Sequence, residues 1–599
     1  MSRSNEEILQ EVAGDTVPKA FLRTLATYPD MKLFGWFEGE ERHEWSTAEF
    51  AELVAKAAAG LAALGIKRGD RVVIMMRNIP QFHVVDLAAL FLGATPVSIY
   101  NSSSSDQVAY LAGHSAAKVA VLEDDGFAQR FAEVASELPA LTATVQLNGA
   151  ADGNIGWDEF MGHQPLVLAD HVDTAQPEDL ATIIYTSGTT GNPKGVMLDH
   201  VNVMWTASSL VETFPFSVDE LVGMRLVSYL PMAHIAERVT SHYSALIFGY
   251  CITCCPEASQ IATYAREVKP NIMFGVPRVW EKVHAGVSAA LAADPEKQQQ
   301  VADAVAAATP IVEKMDWGTA TQEEIDTWNF LDAVAFSTLR GLIGLDELKL
   351  AITGAAPIPP ELINWFRAIG VPLCEIYGLS ETSGPLTFAT SKIKAGSVGP
   401  AIPGGTVRIA DDGEVLYAGA NVFKGYLNEP EKTAEALDAD GWFHTGDIGE
   451  LDEDGYLRIV DRKKELIITA GGKNISPANL EAALKTIPLV GQACAIGDQR
   501  PFVSALVVLD ADVAAAWAKQ NGVDGSLADL AANPQVRAEI EEGLERAMAG
   551  FNNAERVKKI TILAEEWMPD SDMLTPTSKL KRRGIHAHFA DQIEAMYNR

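Results

Sequence analysis

The run YTSGTTGNPKG, residues 185 to 195, packs three glycines, four Ser/Thr hydroxyls and one lysine into eleven residues. Glycines let backbone N–H groups approach an anion closely, hydroxyls donate to its oxygens, and a lysine supplies charge, so the composition suits a phosphate. The nearest rival is a Walker A loop, which needs Gly-Lys-Ser/Thr opening a helix directly, with the helix N-terminus aimed at the phosphates. Here Lys194 lies between Pro193 and Gly195, the run GVML that follows is β-like, and a helical pattern begins only after Asp199 and His200. The predicted order is strand, loop, strand, which is not a P-loop.

Three cysteines, Cys251, Cys254 and Cys255, invite a metal reading, but they lie in the apolar run LIFGYCITCC with no second ligand cluster nearby in sequence. A buried strand is the expectation there. The five cysteines of the chain fit a reducing compartment better than a disulfide framework. A net charge of −33 argues against a nucleic-acid footprint, and on average an anionic membrane surface repels it too, the basic stretch Lys579-Leu-Lys-Arg-Arg583 being a local exception. The start MSRSNEEILQEV has no apolar signal core, and Asp86 interrupts the apolar stretch after Val84, so neither a secretory signal nor a spanning helix is read and the expected location is cytoplasmic.

These residues need a scaffold. At 599 residues, with 48% hydrophobic and 21% charged content, the chain reads as an ordinary globular protein of two or more domains. RVVIMM, IPQFHVVDLAALFLG and TPVSIY alternate as strand, helix and strand, with Pro80 suited to a first helical turn. KVAVLED continues the alternation, which returns at SQIATYAREV, NIMFGVP, LKLAITGA, PPELINWFRAIG and PLCEIYG. The fold class is therefore α/β, with a large N-terminal domain of mostly parallel sheets and helices over 1–461 and a small α+β domain over 462–599. Residues from about 278 to 344 are Ala-, Glu- and Gln-rich and read as a helical insertion. GELDEDGYLRIVDR reads as a hairpin turning at Asp454-Gly455, and a further helix opens at Ser476-Pro477.

Several separate segments, in one order, resemble the AMP-forming, adenylate-producing enzymes, which include acyl-CoA synthetases, peptide-synthetase adenylation domains and luciferases. They are YTSGTTGNPKG, TGAAP at 353–357, EIYGLSET at 375–382, HTGD at 444–447, DRKKELI at 461–467, GGKNISP at 471–477 and TPTSKLKR at 575–582. Within that superfamily YLPMAHIAER, GVPRVWEK and the long helical insertion look like long-chain fatty acid CoA ligases. The resemblance implies ATP, Mg²⁺ and coenzyme A as co-substrates and cofactor. A fatty acid carboxylate attacks the α-phosphorus to give acyl-AMP and pyrophosphate, and a thiol then displaces AMP.

Residue by residue, the resemblance implies that Thr186, Ser187, Gly188, Thr189, Thr190, Gly191 and Lys194 cradle the β and γ phosphates, with Thr186 and Glu381 holding Mg²⁺. Gly354, Ala355 and Ala356 form an adenine wall that Tyr377 covers, with Glu375, Ile376, Gly378, Ser380 and Thr382 also at the nucleotide. Asp447 takes the ribose hydroxyls, Arg462 and Lys464 lie at the nucleotide, and Lys579 reaches the carboxylate and α-phosphate. His234 stands beside the carboxylate and acyl tunnel, and Gly471, Gly472 and Lys473 face CoA. Since Lys579 and the 471–473 segment serve different steps, the resemblance implies that the small domain rotates about a hinge near Asp461 to Lys464. Two departures stand out: Arg238 occupies the place of a gating Trp found in some long-chain members, and Ala418 precedes Gly419 where many relatives have Arg.

The alternatives are an acyl-AMP ligase that delivers to a carrier protein, a P-loop kinase, and a non-catalytic nucleotide-binding scaffold. No carrier domain is evident after Lys579, the strand after the loop disfavours the kinase, and a scaffold would lose Lys579 or Glu381. Fatty acid, ATP and CoA are the expected partners, with no nucleic acid. A weak peripheral contact at the inner face of a membrane and a homodimer are both compatible with the composition.

Overall fold

The computed structural model describes every residue except 1, 150–152, 187–191, 469–473, 569–570, 576–578 and 599. Strands Thr95–Ser98, Arg71–Met75, Val119–Leu122, Ala143–Gln146 and Ile155–Gly156 lie side by side in that order, all parallel. Alternate residues of these strands feed two different cores. Val72, Ile74, Val119 and Val121 pack with helices Thr47–Ala63 and Pro80–Phe91, while Val73, Met75, Ala120 and Leu122 pack with Val108 and Phe127 of the helices on the other face. A parallel sheet covered on both faces requires such uninterrupted apolar strands.

Two more sheets repeat the theme. Arg225–Ser228, Cys251–Cys254 and Lys32–Glu38 are parallel, with Glu41–Ser46 added antiparallel at the edge. All three cysteines of 251–255 are buried and free, and no cluster of three or more metal-binding side chains occurs among the described residues. Ile272–Gly275, Leu350–Thr353 and Leu373–Leu379 are also parallel, ending in the antiparallel strand Gly384–Phe388. The chain between the first two of these neighbouring strands runs through helices Pro277–Leu291, Pro295–Asp316, Gln322–Leu331 and Ser337–Ile343. This long helical segment is thus a crossover between adjacent parallel strands.

Antiparallel pairing takes over where connections are short. Leu180–Thr186 and Lys194–Asp199 form a hairpin, and Thr406–Ile409, Glu414–Ala418, Phe443–Leu451 and Leu457–Arg462 form a four-stranded antiparallel sheet. A connection of about seven residues cannot return a chain to parallel register, so the phosphate-loop hairpin must be antiparallel. Helix His200–Thr213 follows directly, capped by Asp199, whose carboxylate accepts from Asn202 N at 2.8 Å while Asn202 Oδ1 accepts from Asp199 N at 3.0 Å.

The C-terminal region has cores of its own. Val490–Ile496 pairs antiparallel with Val503–Leu509, which pairs parallel with Val557–Leu563 across intervening helices. Ala493, Ala495, Val503, Ala505 and Val507 contribute to one core, and Cys494, Ile496, Leu506 and Val508 to another on the opposite face. Separate cores mark a separate domain. It is tied to helix Pro277–Leu291 by ion pairs: Arg278 with Asp510, Lys485 with Glu281 at 3.2 Å, and Lys282 with Asp512 at 3.7 Å. Among the described residues no helix is long and apolar enough to cross a membrane.

Asp199→Ala removes the cap of the helix that follows the phosphate loop, together with the partner of Lys424 at 3.2 Å. A loss of about 1–2 kcal/mol is expected, read as a lower urea midpoint with unchanged slope.

Candidate active site

A cleft of about 3840 Å³ opens between the large domain and the C-terminal domain, and its walls carry most of the residues singled out by sequence. Thr186 ends one strand of the hairpin and Lys194 begins the other, paired across the ladder, so both reach the cleft at the mouth of the loop. Ser187, Gly188, Thr189, Thr190 and Gly191 lie outside the described residues. The Lys194 amine sits 4.3 Å over the Tyr426 ring, and Tyr426 Oη donates to Glu381 Oε1 at 2.8 Å. The cation and the carboxylate are therefore set in a row by one tyrosine, which the sequence reading missed. Tyr426 belongs to a two-residue strand paired with the loop hairpin, far in sequence from Glu381, and nothing local in KGYLN marks it.

Opposite lies the segment 353–357. Ala355 adopts a left-handed φ of 69°, a conformation that costs a non-glycine residue energy and is typical of functional turns. A Cβ on Gly354 would stand 2.7 Å from Ile376 O, so only glycine lets this turn lie against strand Leu373–Leu379. Ala355, Ala356, Glu375, Ile376, Tyr377, Gly378 and Ser380 all line the cleft, whereas Gly354 is buried behind them. Thr382 departs from the expected role. Its side chain is buried, its hydroxyl donates to Gly384 O at 2.7 Å and accepts from Leu379 N at 3.0 Å, and it therefore shapes the turn that presents Glu381. Burial raises the Glu375 carboxyl to about 8, which leaves it neutral at pH 7.

Asp447 and Arg462 face each other across antiparallel strands, with Arg462 Nε 2.8 Å from Asp447 Oδ1. Tyr377 Oη donates to the other carboxylate oxygen. Burial raises the Asp447 carboxyl above the usual range, and the Arg462 guanidinium opposes that rise. Just beyond, Lys464 is exposed in the turn that leads into the C-terminal domain and also lines the cleft. The carboxylate of Asp461 spans this junction, accepting from Ser476 Oγ at 2.6 Å and Ala478 N at 2.9 Å. Gly471, Gly472 and Lys473 lie outside the described residues.

Lys579 enters the same cleft from the far end of the C-terminal domain. Thr575 Oγ1 accepts from Lys579 N at 3.0 Å and Thr575 N donates to Lys579 O at 2.8 Å, so the backbone of Lys579 is tied to Thr575. Lys579 is an exposed residue of the cleft wall, yet desolvation of its amine among the surrounding groups and then the Arg462 guanidinium pull its pKa down to about 8; Asp447, Glu381 and Glu465 resist the fall. His234 faces it. Its Nδ1 accepts from Ala236 N at 3.2 Å, and burial followed by the Lys579 charge pushes the imidazole down to about 3, so it is neutral at any working pH.

A cleft with a carboxylate–guanidinium pair, a lysine of lowered pKa and a phosphate-type hairpin is built to hold a nucleotide and stabilise charge during group transfer. Comparison with known proteins decides which one. The profile of the AMP-binding enzymes matches residues 21–427, and that of the AMP-binding enzyme C-terminal domain matches residues 464–599. The chain belongs to the AMP-binding enzyme family. It is 36% identical over 560 residues to a long-chain-fatty-acid–CoA ligase of Mycobacterium bovis, covering 92% of each chain. It is 34% identical to a long-chain-fatty-acid–CoA ligase of Xenopus laevis, over 97% of this chain and 84% of the relative. The fold matches the adenylation domain of a carboxylate reductase from Mycobacterium chelonae with a TM-score of 0.75 at 20% identity, over 99% of this chain and 93% of that one.

AMP-binding enzymes use ATP, Mg²⁺ and CoA. The cleft suits a magnesium nucleotide, because Thr186 and Glu381 add hard oxygen atoms to its lining, and Mg²⁺ is commonly held by one or two protein oxygens with substrate phosphates completing its shell.

The lowered pKa of Lys579 is directly measurable. NMR of the reductively methylated amine should titrate near 8, and Arg462→Gln, which removes a positive neighbour that disfavours the charged amine, should move the midpoint upward.

Proposed function

We propose that this AMP-binding enzyme activates a long-chain fatty acid to acyl-AMP with release of pyrophosphate and then transfers the acyl group to coenzyme A. The observation that carries the reading is that Lys579, His234, Glu381 and the Asp447–Arg462 pair meet in one cleft, which continues past His234 between apolar side chains such as Leu210, Phe214, Ile272 and Phe274. The names of the relatives, long-chain-fatty-acid–CoA ligases, favour CoA over a carrier protein as acceptor.

In this reading the acyl tail lies in the apolar branch, which leaves the carboxylate beside neutral His234 and the Lys579 ammonium. A carboxylate and a polyphosphate repel each other, so the first task is charge compensation. Lys579 would bridge the carboxylate and the α-phosphate, and Lys194 with the 187–191 loop would hold the β and γ phosphates. Mg²⁺, when bound, neutralises phosphate charge, with Thr186 and Glu381 as the residues that would hold it. Asp447 would fix the ribose through its hydroxyls and Arg462 would keep Asp447 anionic. One carboxylate oxygen then bonds to the α-phosphorus as the bond to pyrophosphate breaks. In the second step the CoA thiolate bonds to the acyl carbon and AMP leaves with the shared electron pair.

We assign residues 1–461 to the nucleotide- and acyl-binding domain, with the helical insertion at about 278–344, and 462–599 to a mobile domain that carries Lys579 and the CoA-facing residues 471–473. The turn at Lys463–Glu465 supports a hinge there, because it connects strand Leu457–Arg462 of one domain to the other with Glu465 N bonded back to Arg462 O at 2.9 Å. We propose a cytoplasmic location, with weak peripheral membrane contact and homodimerisation as properties to be measured. Phe330, Val334 and Leu342, all more than half exposed on the helical crossover, supply apolar surface for such contacts, and vesicle co-sedimentation and light scattering measure them.

Turnover across a fatty-acid length series should yield AMP and pyrophosphate in equal amounts, and stoichiometric ADP would refute the reaction. Glu381→Ala should slow pyrophosphate release about 100-fold or more, with saturating Mg²⁺ failing to restore it. Lys579→Ala should abolish acyl-AMP formation yet leave conversion of supplied acyl-AMP to acyl-CoA largely intact. Lys464→Pro, by stiffening the hinge, should show the opposite bias. Equal loss of both half-reactions in each variant rejects the hinge.

A further inference from the structure

A single segment, 235–248, carries two opposed sets of side chains. It begins as the short helix Ile235–Glu237, passes through a π-turn at Arg238–Tyr243 and resumes as helix Ser244–Phe248. A π-turn admits one extra residue per turn and so re-aims the side chains after it, and such turns concentrate at functional sites. Val239, Thr240 and Ser244 face the cleft. Arg238, Ser241 and His242 face the other way and have no measurable exposure.

The hidden side is a fully dry polar network. Arg238 Nη2 donates to Asp86 Oδ2 at 2.5 Å and Nη1 to Ser98 Oγ at 2.8 Å, while its guanidinium lies 5.4 Å from the Tyr243 ring centre and 5.8 Å from that of Phe82. The second Asp86 oxygen lies 2.9 Å from His242 Nε2, and His242 Nδ1 lies 2.9 Å from His83 Nδ1. His83 in turn stacks on Phe34 at 4.2 Å. The network thus bolts the π-turn to helix Pro80–Phe91, strand Thr95–Ser98 and strand Lys32–Glu38. A charge pair in the dry interior is a poor way to gain stability compared with apolar packing, and its best-attested use is to select one arrangement among near-equals.

The hydroxyls of the turn support the same conclusion. Thr240 Oγ1 donates to Ala236 O at 2.8 Å, Ser241 Oγ to Glu237 O at 2.7 Å and Ser244 Oγ to Val239 O at 2.7 Å. They occupy carbonyls along the widened turn, and in doing so leave Thr240 and Ser244 without a free hydroxyl proton toward the cleft.

We infer that the Asp86–Arg238 ion pair, with His242, holds the π-turn in register and thereby sets the outline of the acyl branch of the cleft, so that Arg238 is a positioning residue for acyl-chain selection acting through Val239, Thr240 and Ser244. The inference rests on the fatty-acid reading of that branch. Asp86, Ser98, His83, Arg238 and His242 do not line the cleft themselves, so the network's influence should reach it only through the acyl branch.

The test uses the full-length enzyme and the double variant Asp86→Asn/Arg238→Gln, which removes both charges together and so leaves neither buried without its partner. Acid-dependent pyrophosphate release is measured over medium to long fatty acids, alongside KM for ATP and amide hydrogen exchange of the peptide 235–248. The expected result is faster exchange in that peptide, a fall of about 10-fold in kcat/KM for the preferred long chains relative to medium ones, and an unchanged KM for ATP. Loss spread evenly over chain lengths, or a parallel rise in the KM for ATP, overturns the inference and marks the network as structural only. A folded double variant with wild-type exchange and chain preference also overturns it. If the double variant does not accumulate as folded protein, Arg238→Lys, which keeps the charge but not the fork joining Asp86 and Ser98, carries the test with the same readouts. A wild-type enzyme that gives no fatty-acid-dependent pyrophosphate release refutes the acyl reading itself, which distinguishes that failure from a failure of the inference.

Discussion

The cross-strand contact between Asp447 and Arg462 is the point from which the cleft is organised. Its two strands end the antiparallel sheet of the large domain, and the second strand is also the last element before the C-terminal domain. One carboxylate oxygen takes Arg462 and the other takes Tyr377, so the wall opposite the phosphate hairpin is tied to the domain junction by a single buried group. The same guanidinium is the charged neighbour that depresses Lys579. Nucleotide wall, junction and lysine are therefore coupled through one ion pair, and a change in the position of Arg462 is felt by all three.

A chain of net charge −33 that handles a polyphosphate and a carboxylate has a self-repulsion problem, which it solves locally. Lys194 is held over Tyr426, Arg462 against Asp447, and Lys579 by its backbone bond to Thr575 Oγ1. Each cation is placed by a neighbour that does not cancel it entirely. His234 is kept neutral next to Lys579, so it fills space and offers a nitrogen without adding charge.

Much of this was legible in the sequence because the signals were local. The strand–loop–strand order around Lys194, the Asp199 start of the next helix and the apolar strands were all set by neighbours within a few residues, and family-like runs marked Glu381, Asp447 and Lys579. What was not legible came from distant pairing. Tyr426 meets Glu381 across 45 residues, and Arg238 meets Asp86 across 152. In sequence Asp86 was only a charge interrupting an apolar run, and Arg238 only a departure from relatives; each explains the other once the fold joins them. Thr382 failed differently, because its run suggested the nucleotide while its hydroxyl was already committed to the turn beneath Glu381.

The helical crossover between Ile272–Gly275 and Leu350–Thr353 joins two strands that are already neighbours in register. The entropy of closing so long a connection grows only slowly with its length, so residues can be added to or removed from it while the sheet stays as it is. Yet its first helix is where Arg278 and Glu281 grip the C-terminal domain. A change of length or sequence in this crossover can therefore alter how the C-terminal domain is seated while every group that lines the cleft keeps its identity.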